Sequence, residues 1–160
     1  MLETPLPNNF LLNPVFIPKL HKFAIMRKLI STGYNDFSFN LATFLLRTGM
    51  GLMMIPHGYD KLVHFMQYKK DFMNFLGMGS TISLALVVFS EFFCSVFLMM
   101  GLFTRAVATV LMIEMIVVVF KAHQGQVFGD GEHGMLYLTA YLSIILLGPG
   151  KASLDGILGK

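Results

Sequence analysis

The sequence predicts an all-α membrane protein: an antiparallel bundle of four transmembrane helices with a short amphipathic helix between the first two spans. Hydrophobic residues make up 55% of the chain, and the mean hydropathy is +0.67. Charged residues make up only 13%, about half of the roughly 25% found in soluble domains. Four separate stretches approach or reach the ~20 apolar residues that cross a bilayer. No stretch alternates apolar and polar residues as the strands of a membrane barrel do.

The composition also excludes several classes of protein. Ample apolar surface excludes a chain that is disordered throughout. The single cysteine, Cys94, excludes a disulfide framework. The net charge of +3 is better explained by lysines and arginines that set membrane topology than by a nucleic-acid interface. The predicted partner is therefore the lipid bilayer, and no nucleic-acid partner is expected.

The N-terminal part of the chain differs from the rest. Residues 1–38 are predicted to form a cytoplasmic tail, and residues 39–160 a membrane domain. The stretch from Lys19 to Ile30 has a basic face and an apolar face, which is typical of a helix lying on the inner membrane surface. Met26 begins a sequence with the form of a membrane-protein start, so it is an alternative start site to Met1.

The four predicted spans follow in order and are joined by short connections. A turn from Gly101 to Arg105 forces its two flanking helices to run antiparallel. Glycine and proline at 148–150 end the last span. The predicted spans run roughly from Phe39 to His57, Ile82 to Phe103, Arg105 to Lys121 and Gly134 to Leu147.

The connection between the first two spans, residues 63–80, carries aromatic residues at helical spacing. Polar residues separate Phe65, Tyr68, Phe72 and Phe75, and this pattern predicts a short amphipathic helix. Packing over a pocket and resting on lipid would give the same pattern. An amphipathic face is structural by default, which favours packing on the bundle or on lipid.

The distribution of lysine and arginine predicts that both termini are cytoplasmic. With four spans, seven basic residues fall on the side of the termini and four on the other side, and the richer side is the inner one. The first group is Lys19, Lys22, Arg27, Lys28, Arg105, Lys151 and Lys160, and the second is Lys61, Lys69, Lys70 and Lys121.

Three charged residues inside the spans, Arg47, Glu91 and Glu114, are predicted to lie at one depth near the membrane midplane. Buried charges are costly, so each needs a partner or a function. If Arg47 pairs with one carboxylate, the other can stay protonated or pair with Lys61, two heptads after Arg47. Two interpretations stay open: an ion pair that fixes helix register, and a polar pocket that binds a small molecule or handles protons.

The predicted outer mouth of the bundle is also polar. His57, His123 and Glu132 lie at helix ends on that side and can converge. Such a group can contact a quinone, relay protons, bind a metal or haem, or hydrogen-bond water and lipid head groups. Neither an H-E-x-x-H motif nor a C-x-x-C-H motif is present, so no metal site is predicted.

The chain carries several short motifs in order: Arg47-x-Gly49-x-Gly51, His57-Gly58-x-x-Lys61-Leu62, Glu91, Gly101-Leu-Phe-Thr104-Arg105, Glu132 and Gly148-Pro149-Gly150-x-x-Ser153-Leu154-Asp155. Together they resemble the DoxX family of small four-helix bacterial membrane proteins. The likeness covers about residues 38–156. After Glu91, however, the chain has Phe92 and Phe93 where the family tends to have small residues.

The resemblance implies a multi-pass protein of the bacterial inner (plasma) membrane linked to redox systems, because the family is named after a subunit associated with a thiosulfate:quinone oxidoreductase. The predicted function is an accessory subunit that contacts quinone beside a redox partner subunit. Any enzymatic role would be that of a quinone-linked oxidoreductase subunit. A small proton-coupled transporter and a non-catalytic scaffold are the alternatives.

Carried over by position and combined with the buried charges, the resemblance gives a set of candidate site residues. Arg105 and Asp155 both fall on the inner side and are predicted to form a structural salt bridge. Quinone is the cofactor to test for. The predicted pocket residues are Arg47, His57, Lys61, Glu91, Glu114, His123 and Glu132.

Overall fold

The computed structural model of the chain describes Gly33 and residues 35–159. The basic segment before residue 31 and the choice between Met1 and Met26 therefore lie outside the described residues. The described part is helical, without strands. Its α-helices are α1 (Asp36–Val63), α2 (Phe65–Tyr68), α3 (Ser80–Met100), α4 (Thr104–Val117), α5 (Glu132–Leu147) and α6 (Leu154–Leu158).

Helix α1 buries one face along most of its length. It begins with Asp36 in its first turn and carries Lys61 in its last, an order that favours the helix dipole. Its buried residues recur three or four positions apart and so form one stripe along the helix. These are Thr43, Arg47, Gly51, Met54 and Gly58.

Helix α3 contains a π-helical segment, Phe89–Cys94, between two regular α-helical parts. Glu91 lies inside this segment and is buried. The helix ends at Gly101, whose φ of 73° requires the left-handed conformation that glycine adopts without strain. The predicted second span extended to Phe103, but Phe103 belongs to the turn, with a φ of 50°.

The third and fourth predicted spans correspond to α4 and α5. Helix α4 continues into a π-helical turn, Val118–Ala122, and α5 begins two residues earlier than predicted. By length and composition, α1 and α3 are the two described helices that can cross a membrane, and α5 is a shorter apolar helix of 16 residues.

Close backbone contact holds α1 against α3. A side chain at Gly51 would meet the Ser95 carbonyl at 2.8 Å, and one at Gly58 would overlap the backbone of Glu91 and Phe92. The small residues that allow this approach are therefore on α1, which explains how the bulky Phe92 is tolerated. Behind the contact, apolar side chains from four helices form a core that includes Met54, Leu98, Leu111, Tyr141 and Ile144.

The connection between α1 and α3 is less helical than the aromatic spacing predicts. Helix α2 spans four residues, and a 3₁₀ turn, Phe75–Gly77, follows after a non-helical stretch. Leu76, Gly77 and Gly79 have positive φ angles of 50°, 78° and 86°, which interrupt a continuous helix. The Asn74 side chain accepts a hydrogen bond from the Gly79 N–H and closes the turn.

Candidate functional site

An ion pair joins α1 to the π-helical segment of α3. The Lys61 ammonium donates to both carboxylate oxygens of Glu91, at 2.8 Å to Oε1 and 2.6 Å to Oε2. The Glu91 side chain is 7% exposed and that of Lys61 is 23% exposed. Because both oxygens of a buried carboxylate bind the lysine, the contact fixes the register of the two helices. It also places a charged pair at the boundary between them.

Glu114 on α4 is a second buried carboxyl group, but it lacks a partner. The residue is 8% exposed, and neither carboxyl oxygen has a hydrogen-bond partner within the described residues. Ser90 and Glu91 lie beside it on α3. The Ser90 hydroxyl donates to the carbonyls of Leu86 and Val87, so its hydrogen is already committed within α3.

Both carboxyl groups and Lys61 line one cavity of about 650 Å³ between α3 and α4. That volume is within the range of sites that bind small organic molecules. Apart from these groups and two serines, its walls are apolar. The apolar lining is Phe72, Met73, Phe75, Leu86, Val87, Phe89, Val110, Ile113, Val117, Val118 and Ala122.

The connection before α3 supplies part of the cavity wall. Phe72 and Phe75 are half-buried there, and the Phe75 N–H donates to the Ser83 hydroxyl on α3 at 3.0 Å. Of the two placements left open by the sequence, the structure therefore has this segment packed over a pocket. Tyr68, which shares the predicted aromatic face, is exposed and donates to Asp60 at 2.6 Å. That hydrogen bond raises the pKa of Tyr68.

Arg47 does not pair with a carboxylate. Its guanidinium donates to the carbonyls of Leu98 and Met99 at 2.9 and 3.0 Å, and to the Ala152 carbonyl at 2.7 Å. The Leu98 and Met99 carbonyls belong to the last turn of α3, and the Ala152 carbonyl lies just before α6. Gly101 has no side chain to displace the guanidinium. The expected pairing with one of the two carboxylates is wrong, because Arg47 lies against the last turn of α3, roughly two turns beyond Glu91.

Asp155 joins the turn before α4 to the C-terminal helix, but Arg105 is not its partner. Its carboxylate accepts from the backbone N–H groups of Phe103 and Thr104, both at 2.8 Å. Partial burial acts to raise the pKa of Asp155, but these hydrogen bonds and the Arg47 charge hold it below its ordinary value of 3.8. The Arg105 guanidinium lies beside Gly148 instead.

The family model described as DoxX matches residues 42–124, just over half of the chain. The chain belongs to the DoxX family. The match contains the cavity and every charged group that lines it. It stops before Glu132 and before the motif at 148–155, so those pieces of the resemblance lie beyond it. No curated protein and no solved structure matches the chain.

Besides Arg47, three predicted pocket residues of this DoxX protein lie outside the cavity. His57 and Glu132 are exposed, and His123 is half-buried beside Gly131. None of them lines the cavity that Lys61 and Glu91 share. Across residues 35–159, no three histidine, cysteine or acidic side chains are grouped so that they could hold a metal ion.

The sequence did not single out Ser90, and it favoured packing of the connecting aromatics on the bundle or on lipid over packing above a pocket. The signal for Ser90 is its position next to a glutamate inside an otherwise apolar span. For Phe72 and Phe75 the signal is their spacing, which marks a buried face without revealing what it covers. The DoxX protein thus has a mainly apolar cavity whose charged groups are Lys61, Glu91 and Glu114.

Proposed function

We propose that this DoxX protein is a redox-linked accessory subunit of the bacterial inner membrane that holds a quinone in the cavity between α3 and α4. The observation that carries the proposal is the composition of the cavity wall. Apolar side chains surround most of it, while Lys61, Glu91 and Glu114 supply polar groups together. A quinone needs this combination, because its flat ring and tail are apolar and its carbonyl oxygens accept hydrogen bonds.

The cavity opens towards the outer surface of α3 and α4, which favours a ligand dissolved in lipid. Leu86 and Phe89 on one side and Ile113 on the other are each about half exposed while lining it. In a membrane such a surface faces acyl chains. A ligand would therefore reach the cavity sideways from the bilayer, between the two helices.

The proposed topology has four antiparallel spans with both termini in the cytoplasm. Contacts between α1 and α3 run in opposite order along the two helices, since Arg47 meets Leu98 whereas Lys61 meets Glu91. Contacts between α4 and α5 do the same, with Arg105 beside Gly148 and Val119 beside Gly134. The balance of lysine and arginine supports the orientation.

In this proposal Lys61 is the group that contacts a quinone oxygen. Its ammonium carries three hydrogens, and Glu91 need not take all of them. Glu91 holds the lysine in place and balances its charge. Electron transfer to or from the quinone would belong to a partner subunit, and this chain would supply the binding site.

Purification in a mild detergent, followed by mass spectrometry of extracted lipids, tests the proposal. We expect quinone to co-purify with the wild-type protein and to rebind when it is added back. Glu91→Gln should weaken retention, because Lys61 loses the group that positions it. Asp130→Asn, an equivalent change in an exposed loop, is the matched control and should retain quinone.

A wild-type protein that carries no quinone and fails to bind added quinone would contradict the proposal. Uptake driven by a pH gradient in liposomes would then support the transporter alternative. A stable partner protein without any bound small molecule would support the scaffold alternative.

A further inference from the structure

Glu114 differs from the other charged groups of the cavity because neither of its carboxyl oxygens has a hydrogen-bond partner within the described residues. Lys61, the nearest cation, is bound by both oxygens of Glu91. The titratable groups that face Glu114 from the surrounding helices are Lys61 on α1, Glu91 and Cys94 on α3, and Tyr141 on α5, with Tyr137 next to them. None of these donates a hydrogen bond to a Glu114 oxygen.

A carboxylate that is 92% buried and has no hydrogen-bond partner is much costlier than the neutral acid. The neutral acid has one O–H to donate. Ser90 has already used its own hydrogen, so it offers the ligand no donor. A donor within an apolar cavity is suited to an acceptor on a ligand.

We infer that Glu114 binds the ligand directly, held as the neutral acid and donating a hydrogen bond to a carbonyl oxygen of an uncharged lipophilic molecule. This inference rests on the proposed function, in which that molecule is a quinone. It adds Glu114 to Lys61 as a second group that contacts the ligand, and it assigns Glu114 the role of hydrogen-bond donor. With Lys61 and Glu114 as the two donors, the cavity selects ligands that carry carbonyl oxygens and have no charge of their own.

The test compares Glu114→Gln, which keeps an uncharged donor at every pH, with Glu114→Leu, which removes it. Binding of decylubiquinone and of a long-chain methyl ketone is measured on the intact protein in nanodiscs. We expect the leucine variant to bind both probes roughly tenfold more weakly, the loss of about one hydrogen bond. The glutamine variant should stay within about twofold of the wild type at neutral pH.

The pH dependence separates a neutral donor from a structural role. Wild-type binding should fall at alkaline pH as Glu114 ionises, whereas Glu114→Gln should hold its affinity until other groups titrate. Asp130→Asn should follow the wild type. Infrared spectra should show a protonated carboxylic acid at neutral pH in the wild type, and that band should be absent from Glu114→Gln. Circular dichroism checks that each variant is folded.

The outcomes distinguish this inference from the proposed function. If the ketone binds through Glu114 but the quinone does not bind, the proposed function fails and the inference stands. If the quinone binds equally well to wild type and Glu114→Leu, the inference alone is overturned. If Glu114→Gln loses binding at the same pH as the wild type, the loss does not come from ionisation of Glu114, and the inference is overturned. If neither probe binds, both fail.

Discussion

Replacing Lys61 with methionine should destabilise the protein more than removing its partner does. In Lys61→Met, the Glu91 carboxylate, 7% exposed, loses the group that donates to both of its oxygens. Breaking a buried ion pair from one side costs ~3–5 kcal/mol. Because the Lys61 side chain is 23% exposed, water already screens the pair in part. We therefore expect about 2–3 kcal/mol, roughly 30- to 150-fold in the unfolding equilibrium constant.

Removing the carboxylate instead of the lysine should lower the free energy of unfolding by less. In Glu91→Gln, the half-buried lysine keeps a route to water and can extend its flexible chain towards the surface, so we expect about 1 kcal/mol. The double variant Lys61→Met with Glu91→Met removes both charges and replaces them with apolar side chains of similar length. It should recover most of the loss, because a buried pair replaced as a whole is often close to neutral.

The four proteins can be compared by titrating mixed micelles with sodium dodecyl sulfate while following helicity by circular dichroism. The expected order of stability is wild type and double variant first, Glu91→Gln next and Lys61→Met last. If Lys61→Met is no less stable than Glu91→Gln, the buried carboxylate does not depend on the lysine. The reasoning would also be refuted if both single variants lost equal stability and the double variant lost the sum of the two.

Three further predictions follow from contacts elsewhere in the structure. Gly58→Ala should cost about 1–3 kcal/mol because its methyl group overlaps the Phe92 backbone, whereas Gly49→Ala, with open space around it, should stabilise α1 by up to ~1 kcal/mol; equal thermal stability would contradict this. Arg47→Lys should cost about 2–4 kcal/mol and lower the folded yield, since one ammonium cannot reproduce a planar fork spanning three carbonyls; an unchanged yield and melting temperature would contradict it. Asp155 has a lowered pKa, so its contribution to stability is complete above its ordinary value of 3.8 and is lost as the pH falls through the lower, folded-state value. Asp155→Asn should lack that acid-dependent loss in melting curves between about pH 5 and pH 2, and identical curves would refute the assignment.

The helices were predictable from the sequence because their signals are local. Apolar runs, the glycine at 101 and the glycine–proline stretch at 148–150 place α3, α4 and α5 to within a few residues, since each depends on nearby chain composition. Helix α1 runs six residues past the predicted end at His57, to Val63. The connection at residues 63–80 was less predictable. Its helical spacing is real, but positive φ angles at Leu76 and two glycines interrupt the helix, and those angles are set by how the turn closes.

The partners of the buried charges could be predicted only in part. Counting residues from the ends of the spans placed Arg47, Glu91 and Glu114 at one depth, and two of the three do share the cavity. Arg47 does not, because α1 extends to 28 residues, and depth along a long helix is not fixed by its apolar core alone. Its actual partners are backbone carbonyls, which no pattern of side chains reveals.

The cavity itself depends on two irregularities that sequence periodicity cannot show. The π-helical segment Phe89–Cys94 supplies Phe89, Ser90 and Glu91 to its wall, and the π-helical turn Val118–Ala122 supplies both of its end residues. Each π turn inserts about one residue, which rotates everything after it by roughly 100° relative to a regular helix. Cys94 belongs to the apolar core and does not line the cavity, whereas Glu91, one turn earlier, does. The two helices that enclose the cavity thus depart from regular geometry where they border it. In α3 this π-helical segment is also where the Glu91 and Phe92 backbone contacts Gly58 of α1, so the close packing of the two helices helps to fix the position of Glu91.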